Sequence, residues 1–324
     1  MRKARKARNA SNPINPTNSI NLLNLFMMNL RNILFLSFNI FLAAIYYGPL
    51  QELITVSMRN ELYSHIILIP LVSGYFLFLN RKSLLAEANY SYVWGLTLII
   101  LGMGMYFLAI DQGTKLNRND YLSLIIFSAV SFWIGGFIFF YGLKSFRANL
   151  FPLLFLFFLV PIPTLIVETV ILILQIGSTE ASYAFFKLTG VPILREGFTF
   201  HLSGISVEVA KQCSGIRSTI ALFITSIIAG HLFLRTGWKK IILILAIFPI
   251  TALKNGLRIV TLTLLGNYVD VRILGSELHK SGGIPFFIVA LVFLSPVLWM
   301  LRKSEKKKLW NAGKMEKWKS GRTQ

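Results

Sequence analysis

Charge is what this sequence has least of. Charged residues make up 14% of it, where a soluble domain carries roughly 25%. Acidic residues number 13 against 33 lysines and arginines. A chain so poor in charge cannot keep an ordinary wet surface over its whole length. Cysteine is scarcer still. The single Cys213 rules out an intrachain disulfide and any multi-thiolate metal site. The four histidines are scattered without ligand spacing, so no metal is expected. The sequence also lacks a Walker-type or dinucleotide-binding glycine loop, which argues against ATP-driven chemistry and leaves no cofactor expected. It shows no internal repeat and no separate soluble domain.

What the sequence does have is apolar residues, 55% of the total, with a mean hydropathy of +0.63. They gather in runs long enough to cross a bilayer, which takes about 20 helical residues. Eight spans are expected: Asn32–Tyr47, Ser64–Leu79, Tyr92–Ile110, Tyr121–Leu143, Leu150–Gln175, Gly215–Leu234, Ile241–Leu264 and Ile284–Leu301. The fold class is therefore an all-α polytopic membrane protein with about eight transmembrane helices. Pro152, Pro161 and Pro163 should kink or interrupt the fifth span. Three regions follow: a basic cytoplasmic arm over 1–31, one integral membrane domain over 32–301 with its catalytic part at about 191–301, and a basic tail over 302–324. The longest stretch between spans is Ile176–Gln212. Within it Val191–Val207 alternates and carries Phe198, Phe200 and Val207, which suggests a short extracytoplasmic β-hairpin.

Basic residues set the orientation. Most of them fall in the segment ending at Arg31, in the Arg81/Lys82, Lys144/Arg147 and Arg235/Lys239/Lys240 turns, and after Leu301. By the positive-inside rule both termini then lie in the cytoplasm. The net charge of +20 is a juxtamembrane surplus beside anionic lipid headgroups, so membrane lipids are expected partners and nucleic acid is not. Met1–Asn18 is basic, rich in Asn and Pro, and has no apolar core. It is read as a disordered arm, not a cleavable signal peptide.

Polar residues near a bilayer are the informative ones. Spans six and seven both start from the Arg235–Lys240 turn. At 1.5 Å rise per residue, Cys213 lies roughly 33 Å above it and Arg258 roughly 28 Å. Span eight descends about 27 Å from just after His279 to Arg302. All three side chains thus reach the outer rim of consecutive helices.

A lone cysteine is ordinarily a small buried hydrophobe. Cys213, however, precedes Ser214 and Gly215 at the start of span six, where a helix N-terminus favours a thiolate. Lys211 and Arg217 add positive charge, so a nucleophile is the better reading. Arg258 alone reads as a snorkelling residue. Asn255 on the same helix face and Thr261 beyond it make a polar stripe that should face protein. A guanidinium so fixed suits an oxyanion. Lys254 is left to snorkel. His279 stands in His279-Lys280-Ser281-Gly282-Gly283, and its imidazole titrates near working pH, as acid–base catalysis needs. His65 at the outer start of span two is a weaker candidate, while His201 and His231 are read as structural.

Val207-Glu208-Val209-Ala210-Lys211-Gln212-Cys213-Ser214-Gly215-Ile216-Arg217-Ser218 resembles the signature of the exosortase/archaeosortase family. The likeness continues through Asn255-Gly256-Leu257-Arg258-Ile259 and His279 with Gly283. It includes the proline-marked stretch from Phe151-Pro152 to Pro161-Ile162-Pro163, Arg195-Glu196-Gly197, and Ser64-His65. It covers about Ser64 to Leu301. The family processes exported proteins bearing a C-terminal sorting signal: a short motif, often Pro-Glu-Pro, then one hydrophobic span and a basic cluster. The resemblance implies a membrane cysteine transpeptidase of sortase-like chemistry in the cytoplasmic (inner) membrane. Cys213 would be the nucleophile forming an acyl-thioester, Arg258 the oxyanion stabiliser and His279 the acid/base, supported by Arg217, Asn255, Ser214, Gly215 and His65. The active site would face the extracytoplasmic side, with an unidentified acceptor there. Two departures bear on subfamily: Lys211 and Gln212 stand where many members have an acidic residue, and Lys280 follows the histidine.

Rival readings are a non-enzymatic partner in polysaccharide or protein export, a small-solute transporter, and a thiol protease with water as acceptor. A transporter should show helices broken at the midplane and often paired repeats. Here the polar cluster computes to the rim.

Overall fold

A computed structural model describes residues 16–81, 89–270, 272 and 283–320. The described residues are overwhelmingly helical, as expected, and among them seven helices are long and apolar enough to cross a membrane, or eight if one bent pair counts as a span. Outward faces leave large apolar side chains such as Val93, Leu165 and Val292 exposed, as lipid contact requires. Two compact units are distinguished: 1–55 with 69–161, and 56–68 with 162–324.

In the first unit, α1 (Pro16–Ile45) and α2 (Tyr47–Arg59) meet at a 74° bend. The single first span expected over Asn32–Tyr47 is therefore a longer helix, which already opens at Pro16 within the stretch read as a disordered arm. Residues 1–15 of that arm lie outside the described residues. The bend falls at Tyr46 because Pro49 has no N–H to offer Ile45 and its ring crowds the preceding turn. Tyr46 is buried, and its hydroxyl meets Ser128 Oγ at 2.8 Å.

The same device recurs twice. Pro152 is the third residue of a short helix, α6 (Leu150–Phe155), after a break at Asn149. Pro249 stands third after a break at Ala246. Between α1 and α6 in this unit lie α3 (Leu68–Leu79), α4 (Tyr92–Gln112) and α5 (Arg118–Ala148). Helices α4 and α5 approach until a Cβ on Gly95 would lie 2.6 Å from the Phe139 backbone, and one on Gly102 would lie 2.8 Å from Phe132 N. Around them Phe35 packs edge-on against Trp133, Phe137, Phe140 and Tyr141.

The second unit opens with a 3₁₀ segment, Glu61–Ile67, which leads into α3 and so lengthens span two upstream of its expected start. The fifth span is interrupted at its prolines, as expected: α6, a 3₁₀ turn at Leu156–Leu159 and the Pro161–Pro163 stretch divide the Leu150–Gln175 run. Its end is the main correction. The long apolar helix is α7, Thr164–Thr189. Ser178, Thr179 and Ser182 made its second half look like loop. All three are buried, however, and two return their hydroxyls to the helix: Thr179 to Gln175 O at 2.8 Å and Ser182 to Ser178 O at 2.7 Å. Gly190, at φ +70°, ends the helix in the left-handed conformation that glycine adopts freely.

The expected hairpin is a three-stranded antiparallel sheet: β1 (Leu194–Glu196), β2 (Thr199–His201) and β3 (Ser206–Glu208). Thr199 pairs with both Glu196 and Glu208. Phe200 turns inward onto Phe186 of α7, beside Val209, Ile259 and Val260. Arg195 donates to Glu180 of α7 at 2.6 Å, and that carboxylate raises the guanidinium's pKa further.

Three helices complete the unit: α8 (Ile216–Phe233), the pair α9 (Gly237–Leu245) with α10 (Ile247–Tyr268), and α11 (Gly283–Ser320). Their lower ends are tied together. Glu305 of α11 accepts from Arg235 N at 3.1 Å and Thr236 N at 2.9 Å, capping α9 from outside. Lys239 donates to Ser304 Oγ at 2.6 Å and Leu301 O at 3.2 Å.

Candidate active site

Cys213 lies on a short 3₁₀ turn, Lys211–Ser214, between the sheet and α8. Its backbone alone is placed; its side chain is outside what the structure describes. The turn is held on both sides. Upstream, Gln175 of α7 donates to Val209 O at 2.6 Å. Downstream, Gly215 takes φ +78°, a left-handed conformation that side chains resist. Its carbonyl collects three bonds, from Thr219 N at 3.0 Å, Thr219 Oγ1 at 2.9 Å and Ser218 Oγ at 2.9 Å. The helix starts one residue after the expected Gly215, so Cys213 stands just outside its N-terminus. Ser214 is wholly buried, and its hydroxyl has no hydrogen-bond partner among the described residues.

Facing this turn is the polar side of α10. Asn255 is buried and donates to Ser178 Oγ of α7 at 3.0 Å. Gly256 lets the two helices close: a Cβ there would lie 2.7 Å from Ala181 Cβ and 2.9 Å from Ser182 N. The expected protein-facing stripe on this span is thus where α7 packs.

Lys254 does not snorkel, contrary to the sequence reading. It is 2% exposed and donates to Ser218 Oγ at 2.5 Å. Its Nζ lies 3.4 Å from where a Gly215 Cβ would stand, and the Asn255 amide is as close. The structure therefore sets Lys254 directly against the turn. Arg258 follows one helical turn later, about 6 Å further along the axis. It is half-buried, with the Phe286 ring of α11 centred 6.0 Å from its guanidinium carbon.

The remaining candidates are distributed as follows. Arg217 is exposed and bonded to Glu61, which partly balances the charge expected to act on Cys213. That contact brings the 3₁₀ segment carrying His65, itself half-buried, against α8. His279 lies outside the described residues; the chain resumes at Gly283 and reaches Phe286 beside Arg258. Among the described residues, no three histidine, cysteine or carboxylate side chains gather as a metal site needs. Sequence reasoning missed Lys254, Gln175, Ser178 and Ser218. For the α7 pair the signal was present: polar residues interleaved with Gly177 and Ala181 at helical spacing, a pattern of close membrane-helix packing.

Comparison with known proteins bears on the same stretch. The family model described as transmembrane exosortase matches residues 56–295, most of the chain and all of this site. No curated protein and no solved structure matches.

Proposed function

The chain belongs to the transmembrane exosortase family, and on that footing we propose that it is a membrane-embedded cysteine transpeptidase. Its substrates are exported proteins ending in a sorting motif, one hydrophobic span and a basic cluster. The Cys213 thiolate attacks the scissile carbonyl carbon, and the Arg258 guanidinium stabilises the oxyanion of the tetrahedral intermediate. His279 gives a proton to the leaving amine as the C–N bond breaks, leaving an acyl-thioester on Cys213. An acceptor nucleophile at the outer face then attacks the thioester, loses its proton to His279 and expels Cys213 as the thiolate, which restores the starting state. The basic turns support cytoplasmic termini and an extracytoplasmic site, and membership of the family supports the inner membrane.

The observation that carries this reading is the locked turn on which the lone cysteine stands: it is held between Gln175–Val209 and the triply bonded Gly215 carbonyl, and buried Lys254 lies against Gly215 with Arg258 one turn beyond. A purely structural cysteine needs no such setting. The test is a substrate tagged at both ends, carrying a sorting-type tail and co-expressed with wild type or Cys213→Ala. Tail loss with wild type alone is expected, and the mass of the new C-terminus then separates transfer from hydrolysis. Intact substrate with both inserted proteins, across several tail motifs, would replace this reading with a non-enzymatic export partner.

A further inference from the structure

Lys254 presents a problem that the reaction just described does not use. An ammonium group taken out of water is expensive unless it is paired. This one is 2% exposed, carries three N–H donors, and finds only the neutral Ser218 hydroxyl. No carboxylate pairs with it among the described residues. Ser218 passes its own hydrogen to Gly215 O at 2.9 Å, so the lysine is the donor in its bond to Ser218. Two of its N–H groups remain without a partner among the described residues, at the turn where the Ser214 hydroxyl is also buried and unpaired.

Among the described residues no carboxylate is left to serve it. On the turn itself stands Lys211, exposed. On α8, Arg217 is bonded to Glu61 of the 3₁₀ segment. On α7, Glu180 is bonded to Arg195 of β1, and Glu168 lies nearer the helix start. Glu208 on β3 is exposed. Along α10, Arg258 repels the lysine instead of neutralising it. The thiolate of Cys213, two residues before Gly215, is the one negative charge that the turn itself can provide.

We propose that Lys254 is the buried counter-cation of Cys213, carried by Ser218 and held against Gly215 so that the thiolate is favoured over the thiol. This rests on Cys213 being the nucleophile, and it makes Lys254 a positioning residue that acts through the cysteine's charge. Ser218 then has a dual part: it bears the lysine and fixes the carbonyl that sets the turn.

Because the chain has one cysteine, the thiol can be titrated without any substrate. The full-length protein in lipid nanodiscs is labelled with iodoacetamide over a range of pH, and the labelling rate reports the thiolate fraction. Wild type is expected to reach half its plateau rate well below the ordinary thiol value of about 8.5. Lys254→Met should slow labelling at pH 7 by about tenfold, one unit in the midpoint, while reaching an undiminished plateau at high pH. Lys254→Arg should restore the low midpoint. Lys254→Gln, which keeps a donor for Ser218 and drops the charge, repeats the test if the methionine variant is not recovered. An unchanged midpoint in the neutral variants, or a plateau that collapses with it, would overturn the proposal. The two readings fail separately: processing that survives Cys213→Ala defeats the nucleophile, whereas cysteine-dependent processing with an unshifted midpoint defeats Lys254 alone.

Discussion

Helices α4 and α5 meet over glycines and aromatic rings, whereas α7 and α10 meet over glycines and polar side chains. In the first pair Gly95, Gly102 and Gly135 admit the facing backbone, and the Tyr92 ring meets Phe139 edge-on. In the second pair Gly256 admits Ala181 and Ser182, and the same seam buries Ser178 and Asn255. Lipid tails are as apolar as leucine, so close packing of small residues drives association in both pairs. A buried hydrogen bond between membrane helices adds only about 0.6 kcal/mol on average. The dry seam shows that the fold can close helices without polar groups. The wet seam is therefore better explained by its neighbour, the turn that carries Cys213.

That contrast can be broken or sharpened by substitution. The largest effects should come from Gly256→Val and Gly102→Val, each forcing a methyl-bearing carbon into a backbone. Each should destabilise the protein by about 3 kcal/mol or somewhat more, at the upper end of overpacking, read by thermal unfolding in detergent. Folded Gly102→Val should keep its processing activity per molecule, and folded Gly256→Val should lose most of it. Equal activity losses would erase the distinction between the seams.

Next in size is Gly215→Ala, which places a side chain at φ +78° for about 1–2 kcal/mol. Its effect on processing should exceed its effect on unfolding, because it moves the turn itself. Smaller again, Asn255→Ala removes the bond to Ser178 and Tyr46→Phe the bond to Ser128, each for about 0.6 kcal/mol. Only the former should reduce processing. Least of all, Arg217→Gln breaks an exposed ion pair and should change stability by less than about 0.5 kcal/mol.

The apolar runs made the spans legible because lipid imposes a length and a composition on any crossing helix. Span six, read as Gly215–Leu234, forms over Ile216–Phe233. The span that misled was the fifth, where Ser178 and Ser182 looked like the end of a membrane run. A sequence displays polarity but not whether a neighbouring helix satisfies it, and here α10 does. Lys254 was misread for the same reason. Snorkelling assumes water within reach of the side chain, and only the packing of α8 against α10 shows that Ser218 is nearer. That α10 meets the turn at the head of α8 through Asn255 was legible, since the short Arg235–Lys240 turn fixes a common starting height for the two helices. That Lys254 reaches the turn as well was not, because it depends on the register of α10.

The Glu305 cap and the Lys239 bonds have a mechanical consequence. They clamp α8, α9 and α11 at one end, so any rocking of these helices pivots there, and the Cys213 turn rides at the tip of a lever about 27 Å long. A tilt of about 5° at the foot displaces that tip by about 2 Å, most of the difference between a contact and a gap. The position of the turn is then governed at the end remote from it, by one carboxylate gripping two backbone amides.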